Sequence, residues 1–135
     1  MVTAPAGPYR LSEVAGVLGV SDDTVRRWAE QGRLATTRTP TGVRAVAASE
    51  LARLALELSD DSVRGATRTS ARNSLRGIVT AVTRDQVMAQ VELRCGPYRV
   101  VSLMSREAAD DLGLQPGCIA VASVKATNVV VELAP

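Results

Sequence analysis

Arginine is the residue whose type and spacing in this chain most directly suggest chemistry. Of sixteen basic residues, only Lys125 is a lysine. Between positions 26 and 44, five arginines (Arg26, Arg27, Arg33, Arg38 and Arg44) stand with one acid, Glu30. The local charge is therefore +4 in a chain whose total is +2. A guanidinium offers a rigid fork of N–H donors that suits phosphate. Such a cluster can bind a polyanion where the overall charge would not suggest one. The remaining reactive types mostly exclude. With no His there is no Ser-His-Asp triad and no Cys-His pair. A zinc site would have only carboxylates and two cysteines to use, and Cys95 and Cys118 are too far apart for a C-x-x-C motif. Asp22-Asp23, Asp60-Asp61 and Asp110-Asp111 are adjacent pairs, which do not face each other on a helix and read as solvated surface. No enzyme activity and no metal site are expected.

These residues need elements to hold them, and the sequence changes character near residue 60. Hydrophobic residues make up 46% and charged residues 22%, a globular balance, in a chain of 135 residues that suits one ordinary domain or two very small ones. Before residue 60, Leu11, Val14, Ala15 and Leu18 repeat at helical spacing behind a Ser12 cap. After Gly19-Val20, Ser21 caps a second helix with Asp22 and Asp23 in its first turn and Val25, Trp28 and Ala29 on its apolar face. Gly32 ends it. Residues 34–46 read as a hairpin, and a third helix starts at Ser49 and buries Leu51, Leu54, Ala55 and Leu58. After residue 60, strands are expected at 73–83, 86–94, 97–104, 117–125 and 128–133, with a short helix over 105–112. The expected domains are 1–58 and 69–135, with 59–68 as a polar linker. No secretory signal and no membrane span are visible, and two cysteines then read as reduced thiols of a cytoplasmic protein.

The segment Tyr9 to Leu34, with Leu11-Ser12-Glu13-Val14-Ala15, Leu18-Gly19-Val20-Ser21, Thr24-Val25-Arg26-Arg27-Trp28 and Gly32-Arg33-Leu34, resembles the helix-turn-helix of the mercury-resistance-regulator (MerR) and excisionase families. Arg38 to Leu54 resembles their winged hairpin and third helix. A short turn holds two helices steeply, so the second can enter a major groove. Its inward face is Val25, Trp28 and Ala29. Ser21, Asp23, Thr24, Arg26 and Arg27 are left at the exposed end and outer side, where Arg, Ser and Thr reach bases or phosphates. Arg38 and Arg44 flank the hairpin tip, placed for phosphate or a minor groove.

Three further segments, Ser70 to Val82 (SARNSLRGIVTAV), Leu112 to Gly117 (LGLQPG) and Val124 to Leu133 (VKATNVVVEL), together resemble the molybdate/tungstate-binding Mop (TOBE) barrel. The resemblance implies an oxyanion site at a subunit interface. Molybdate and tungstate are tetrahedral dianions with four acceptor oxygens, so their site needs charge and donors and no competing acceptors. Ser70 offers a hydroxyl, Ala71 and Arg72 backbone N–H groups, and Arg72 its guanidinium. Lys125 adds a compact charge beside Ala126 and Thr127. The family serine before the Leu-Gly-Leu turn falls at Ala108, with Ser102 and Ser105 as nearby substitutes. In a chain that otherwise uses arginine, a lysine kept inside the motif that asks for one favours the site.

The two resemblances together imply an α+β fold: an N-terminal winged helix-turn-helix domain joined to a C-terminal five-stranded OB-like β-barrel. The expected function is a molybdate- or tungstate-responsive DNA-binding transcription regulator. Its partners would be double-stranded DNA, the oxyanion and itself, as a homodimer or higher homo-oligomer through the barrels, with no membrane and no organic cofactor. A storage protein forming a higher oligomer, with an accessory helix-turn-helix, is the alternative. An architectural DNA-binding protein with a ligand-free barrel is a third reading. With no Phe and no aromatic array, the barrel is not expected to stack nucleic-acid bases.

Overall fold

The helices of the first half form because their apolar residues fall on single faces and because each has a way to begin and end. A computed structural model of the chain describes residues 7–59 and 68–135. It divides into two compact units, Met1–Asp60 with Leu133–Pro135, and Asp61–Glu132. The expected linker 59–68 lies mostly outside the described residues.

In the first unit β1 (Tyr9–Arg10) runs directly into α1 (Leu11–Leu18), followed by α2 (Asp22–Glu30), β2 (Thr37–Arg38), β3 (Arg44–Val46) and α3 (Ala48–Leu58). Gly19 closes α1 in the left-handed region at φ 70°, donating to the Ala15 carbonyl. Ser21 caps α2, its Oγ accepting the Thr24 N–H at 3.1 Å. The other two expected caps are replaced. Arg10 precedes α1 and Ala47 precedes α3, both with extended backbone and no side-chain cap bond. In each case a strand feeds straight into the helix, so the helix starts before the serine. The core joins Val14, Ala15, Val25, Leu34, Val46, Leu51 and Leu54, with Trp28 packed against its edge. Full burial of side chains of this size contributes about 1.5–3 kcal/mol each. Leu58, expected inside, is exposed. The small antiparallel sheet has the order β1-β3-β2.

The first unit is also closed by charge. Glu50 accepts from the Ala35 N–H at 3.0 Å and from Arg53 Nη2 at 2.7 Å. Arg53 also bonds the Arg33 carbonyl and Glu57. The Arg53 hydrogen bond, then the Ala35 N–H, hold the Glu50 carboxyl down at about 2, against 4.5 ordinarily.

The second unit is one antiparallel sheet of order β6-β5-β4-β7. Its strands are β4 (Asn73–Arg84), β5 (Met88–Cys95), β6 (Tyr98–Ser105) and β7 (Ile119–Val124), with α4 (Arg106–Asp111) between the last two. β4 pairs with β7 through residues 73–78 and with β5 through residues 78–84, with a bulge between Val79 and Ala81. At the handover sits Gly77, where an added Cβ would overlap the Arg94 carbonyl and lie 2.6 Å from Cys95 Sγ. Val79, Val91, Leu93 and Cys95 form the core. Four of the five expected strands are present. The fifth, 128–133, is not: Ala126–Asn128 make a 3₁₀ helix and the residues beyond carry no strand pairing. In the single chain that segment is laid on neither free sheet edge, and its apolar side chains are exposed.

Two outcomes follow. Gly77→Ala will destabilise the second unit by about 1–3 kcal/mol, because backbone must move to admit one methyl. Gly16→Ala, in α1 with open space at its Cβ, will stabilise the first unit by about 0.5–1 kcal/mol. Scanning calorimetry of both variants checks this. Separately, charged Glu50 is favoured by folding, so its contribution is complete above pH 4.5 and disappears as pH falls toward 2. Acid titration followed by fluorescence of Trp28, the only Trp, will show a decline across that window that Glu50→Gln flattens.

Candidate functional site

Two regions of the chain gather the residues that could hold anions. The first is built by the register of β4 on β7. Asn73 is opposite Val124, and its Nδ2 donates to the Val124 carbonyl at 3.1 Å. This pairing sets Ser70-Ala71-Arg72, which lead into β4, against Lys125-Ala126-Thr127, which leave β7. Segments about fifty-five positions apart in sequence thus flank the same end of the sheet. Thr69 shapes the approach: its Oγ1 accepts the Ala71 N–H at 3.1 Å, and its carbonyl accepts from Arg72 Nη1 at 3.4 Å. The Ala71 N–H expected for a ligand is thus held locally. Lys125 caps the 3₁₀ helix through its backbone, its carbonyl accepting the Asn128 N–H at 2.9 Å, while its ammonium makes no ion pair among the described residues. Ser70, Arg72, Lys125, Ala126 and Thr127 are exposed and Ala71 half-buried.

The two substitute serines part company. Ser102 lines the cleft between β6 and β7 together with Ser123 and Val124. Ser105 caps α4 instead, its Oγ accepting the Ala108 N–H at 3.1 Å. Asn73 and Thr69, which brace these segments, lie outside the residues expected from the sequence. Asn73 is the last letter of the Ser-Ala-Arg-Asn motif, so a signal for it was present.

The second region is the outer side of the first unit. Ser21 and Thr24 share a hydroxyl–hydroxyl hydrogen bond of 2.8 Å at the start of α2. Asp23 stands 3.6 Å from Arg26, both well exposed, and such a pair is weak in water. Arg27 is exposed on the same helix. At the hairpin, Arg38 donates to the Gly42 carbonyl at 2.9 Å and braces the tip, and Arg44 faces Arg38 across the two strands. Arg33 is drawn into the structure, 5.1 Å from the centre of the Trp28 ring and 3.1 Å from Glu57. It had been counted in the basic cluster but not among the contact residues. Among the described residues no group of His, Cys, Asp and Glu could hold a metal ion, and no helix is long and apolar enough to cross a membrane. Cys95 and Cys118 are free thiols.

Comparison with known proteins finds both halves. Residues 69–131 match the TOBE domain, and residues 10–45 match the MerR family regulatory protein. Molybdenum-pterin-binding protein 3 of Clostridium pasteurianum is 40% identical over 63 residues, spanning 46% of this chain and 93% of that protein. Molybdenum-pterin-binding protein 2 of the same organism is 35% identical over the same shares. Among solved structures, a molybdate-binding protein from Sporomusa ovata is similar with 30% identity and a TM-score of 0.48, over 50% of this chain and all of that one.

Asn73→Ala removes a side-chain bridge from the start of β4 to β7. Its thermal midpoint will fall by an amount equal to about 1 kcal/mol, read by calorimetry.

Proposed function

Because the chain belongs, through residues 69–131, to the family of the molybdenum-pterin-binding proteins and carries a MerR-type regulatory domain over residues 10–45, we propose that it is a DNA-binding transcription regulator whose ligand is molybdate or tungstate. The observation that carries this reading is the register of β4 on β7, in which Asn73 pairs with Val124 so that the segments bearing Ser70, Arg72 and Lys125 flank one pairing, in a chain that also has a helix-turn-helix. A tetrahedral dianion is held by charge from Arg72 and Lys125, by the Ser70 and Thr127 hydroxyls, and by close approach at Ala71 and Ala126. Ser102, on the neighbouring cleft, is the better placed of the two substitute serines. The exposure of these groups in one chain fits a site completed by a second copy. On DNA, Arg26 and Arg27 lie along the α2 face offered to the groove, with Ser21, Asp23 and Thr24 at its amino end and Arg38 and Arg44 on the hairpin. The domains are 1–58 and 69–135, and the protein acts in the cytoplasm.

Self-association of the second unit is part of the proposal. β6 and β7 are the two edges of the sheet, and a cleft of about 470 Å³ opens between them, lined by Val79, Val91, Leu93, Val100, Met104 and Ala120 among others. The segment Val129–Leu133 belongs to the pattern of a fifth strand, yet Val130 and Val131 are 83% and 87% exposed. A second copy's segment, seated in this cleft, closes the barrel and pairs both edges. Linking two barrels links two helix-turn-helix units, and the duplex fixes the spacing at which both can bind. Oxyanion binding at the shared site then alters DNA affinity through that spacing. The storage reading draws on the same apolar surface, and mass separates the two: a dimer favours regulation, a hexamer storage.

Calorimetric titration of molybdate and of tungstate is expected to give binding by wild type and a loss of about tenfold or more in Arg72→Ala and in Lys125→Ala. Binding unchanged in both variants rejects the site. Light scattering will give a multiple of 14.2 kDa for wild type and a shift toward the single-chain mass for Val131→Asp. Retardation of the chain's own upstream DNA, with and without each oxyanion at stated salt, decides the regulatory reading.

A further inference from the structure

We infer that the groove bounded by Arg10, Arg26 and Arg44 seats one phosphate of a DNA backbone, with Arg10 as its anchoring side chain; this rests on the DNA-binding reading above. Arg10 stands outside the basic stretch and belongs to neither the recognition helix nor the hairpin. The fold nevertheless brings it to them. Arg10 ends β1, Arg26 lies one turn into α2, and Arg44 begins β3, which pairs with β1 through Arg10 and Ala45. Together with Ser12 and Asp22 they line a groove of about 330 Å³. Three guanidinium groups against one carboxylate leave an excess charge of +2 at its wall.

What separates these arginines from Arg33, Arg38 and Arg53 is their engagement, and what separates them from the exposed Arg27 is that they line the groove. Arg53 is bonded to Glu50 and Glu57, Arg33 to Glu57, and Arg38 to the Gly42 carbonyl. Arg10 and Arg44 make no hydrogen bond or ion pair among the described residues. Arg26 has only Asp23, at 3.6 Å and in water. Like charges gathered without partners repel, and an anion between them relieves that repulsion while receiving forked N–H donors. Leu11 and Ser12, the first residues of α1, form another wall, and no side chain caps that helix. Its free N–H end and dipole favour the same sign of ligand. The groove lies beside Arg26, so a phosphate held there positions α2 without reading sequence.

The shared chemistry is a tetrahedral oxyanion, and the duplex is distinguished from a free anion by experiment. The full chain is titrated against a fluorescein-labelled 24-base-pair duplex by anisotropy across a salt series. The variants are Arg10→Ala, Arg10→Lys and, as a control on the second unit, Arg76→Ala. Arg10→Ala is expected to weaken binding about tenfold for specific and scrambled duplexes alike. It should also reduce the slope of log affinity against log salt by roughly 1. Arg10→Lys keeps the slope, and Arg76→Ala changes neither quantity. Wild type that binds DNA, with Arg10→Ala equal to it in affinity and slope, overturns the inference and leaves the DNA reading standing. Wild type that binds no duplex brings down both. Calorimetry with inorganic phosphate is the second arm: Arg10-dependent phosphate binding alongside Arg10-independent DNA binding assigns the groove to a free anion and overturns the proposal.

Discussion

β4 has to serve two neighbours. Its first half pairs with β7 and its second half with β5, so the strand curls where one partner gives way to the other. At Gly77 the end of β5 lies so near that an added Cβ would overlap the Arg94 carbonyl. The absence of a side chain there is a steric condition for everything downstream. The approach through Ser70–Arg72 and the exit through Lys125–Thr127 share one end of the sheet because Asn73 pairs with Val124. The core residues Val79, Val91 and Leu93 line the inside of the same bend. The candidate oxyanion site is thus a product of strand register, with Asn73 tying the two segments together at the point where they part.

The first unit solves a different problem, which is how to hold three short helices with few large side chains. Its core is aliphatic and small, and the chain has no Phe. The carboxylate of Glu50 supplies part of the closure by joining the loop at Ala35 to Arg53, which in turn reaches the Arg33 carbonyl. The acidic and basic residues of α3 therefore face structural duties, whereas Arg26 and Arg27 of α2 remain turned to solvent. This division is what allows arginines in one small unit to be sorted into those that hold the fold and those available to a ligand.

Much of this was legible beforehand for physical reasons. Val14, Ala15 and Val25 repeat with the helix period, and Ser21 sits where an extended residue can cap α2. The caps at Ser12 and Ser49 were misplaced because strands run into α1 and α3 with no loop between, leaving Arg10 and Ala47 at the junctions. Periodicity is blind to such joins. The alternation of 128–133 announces a strand, but a strand needs an edge, and this chain does not lay that segment on either of its own. That the Ser70–Arg72 and Lys125–Thr127 segments belong together could be suspected from motif alone; the pairing of Asn73 with Val124 gives it a geometry. Arg10 lies outside the basic stretch of the sequence, and only the pairing of β1 with β3 brings it to Arg44.

Lys125 stands exposed just beyond β7, and no other residue in the molecule carries an ε-amine. Reagents that seek primary amines therefore meet a single side chain. Labelling, acylation or cross-linking at that nitrogen reports on one point of the surface, beside the hydroxyls and the guanidinium that a bound oxyanion would cover. A protein that uses arginine almost everywhere in place of lysine has, as a consequence, left itself one side chain open to amine chemistry.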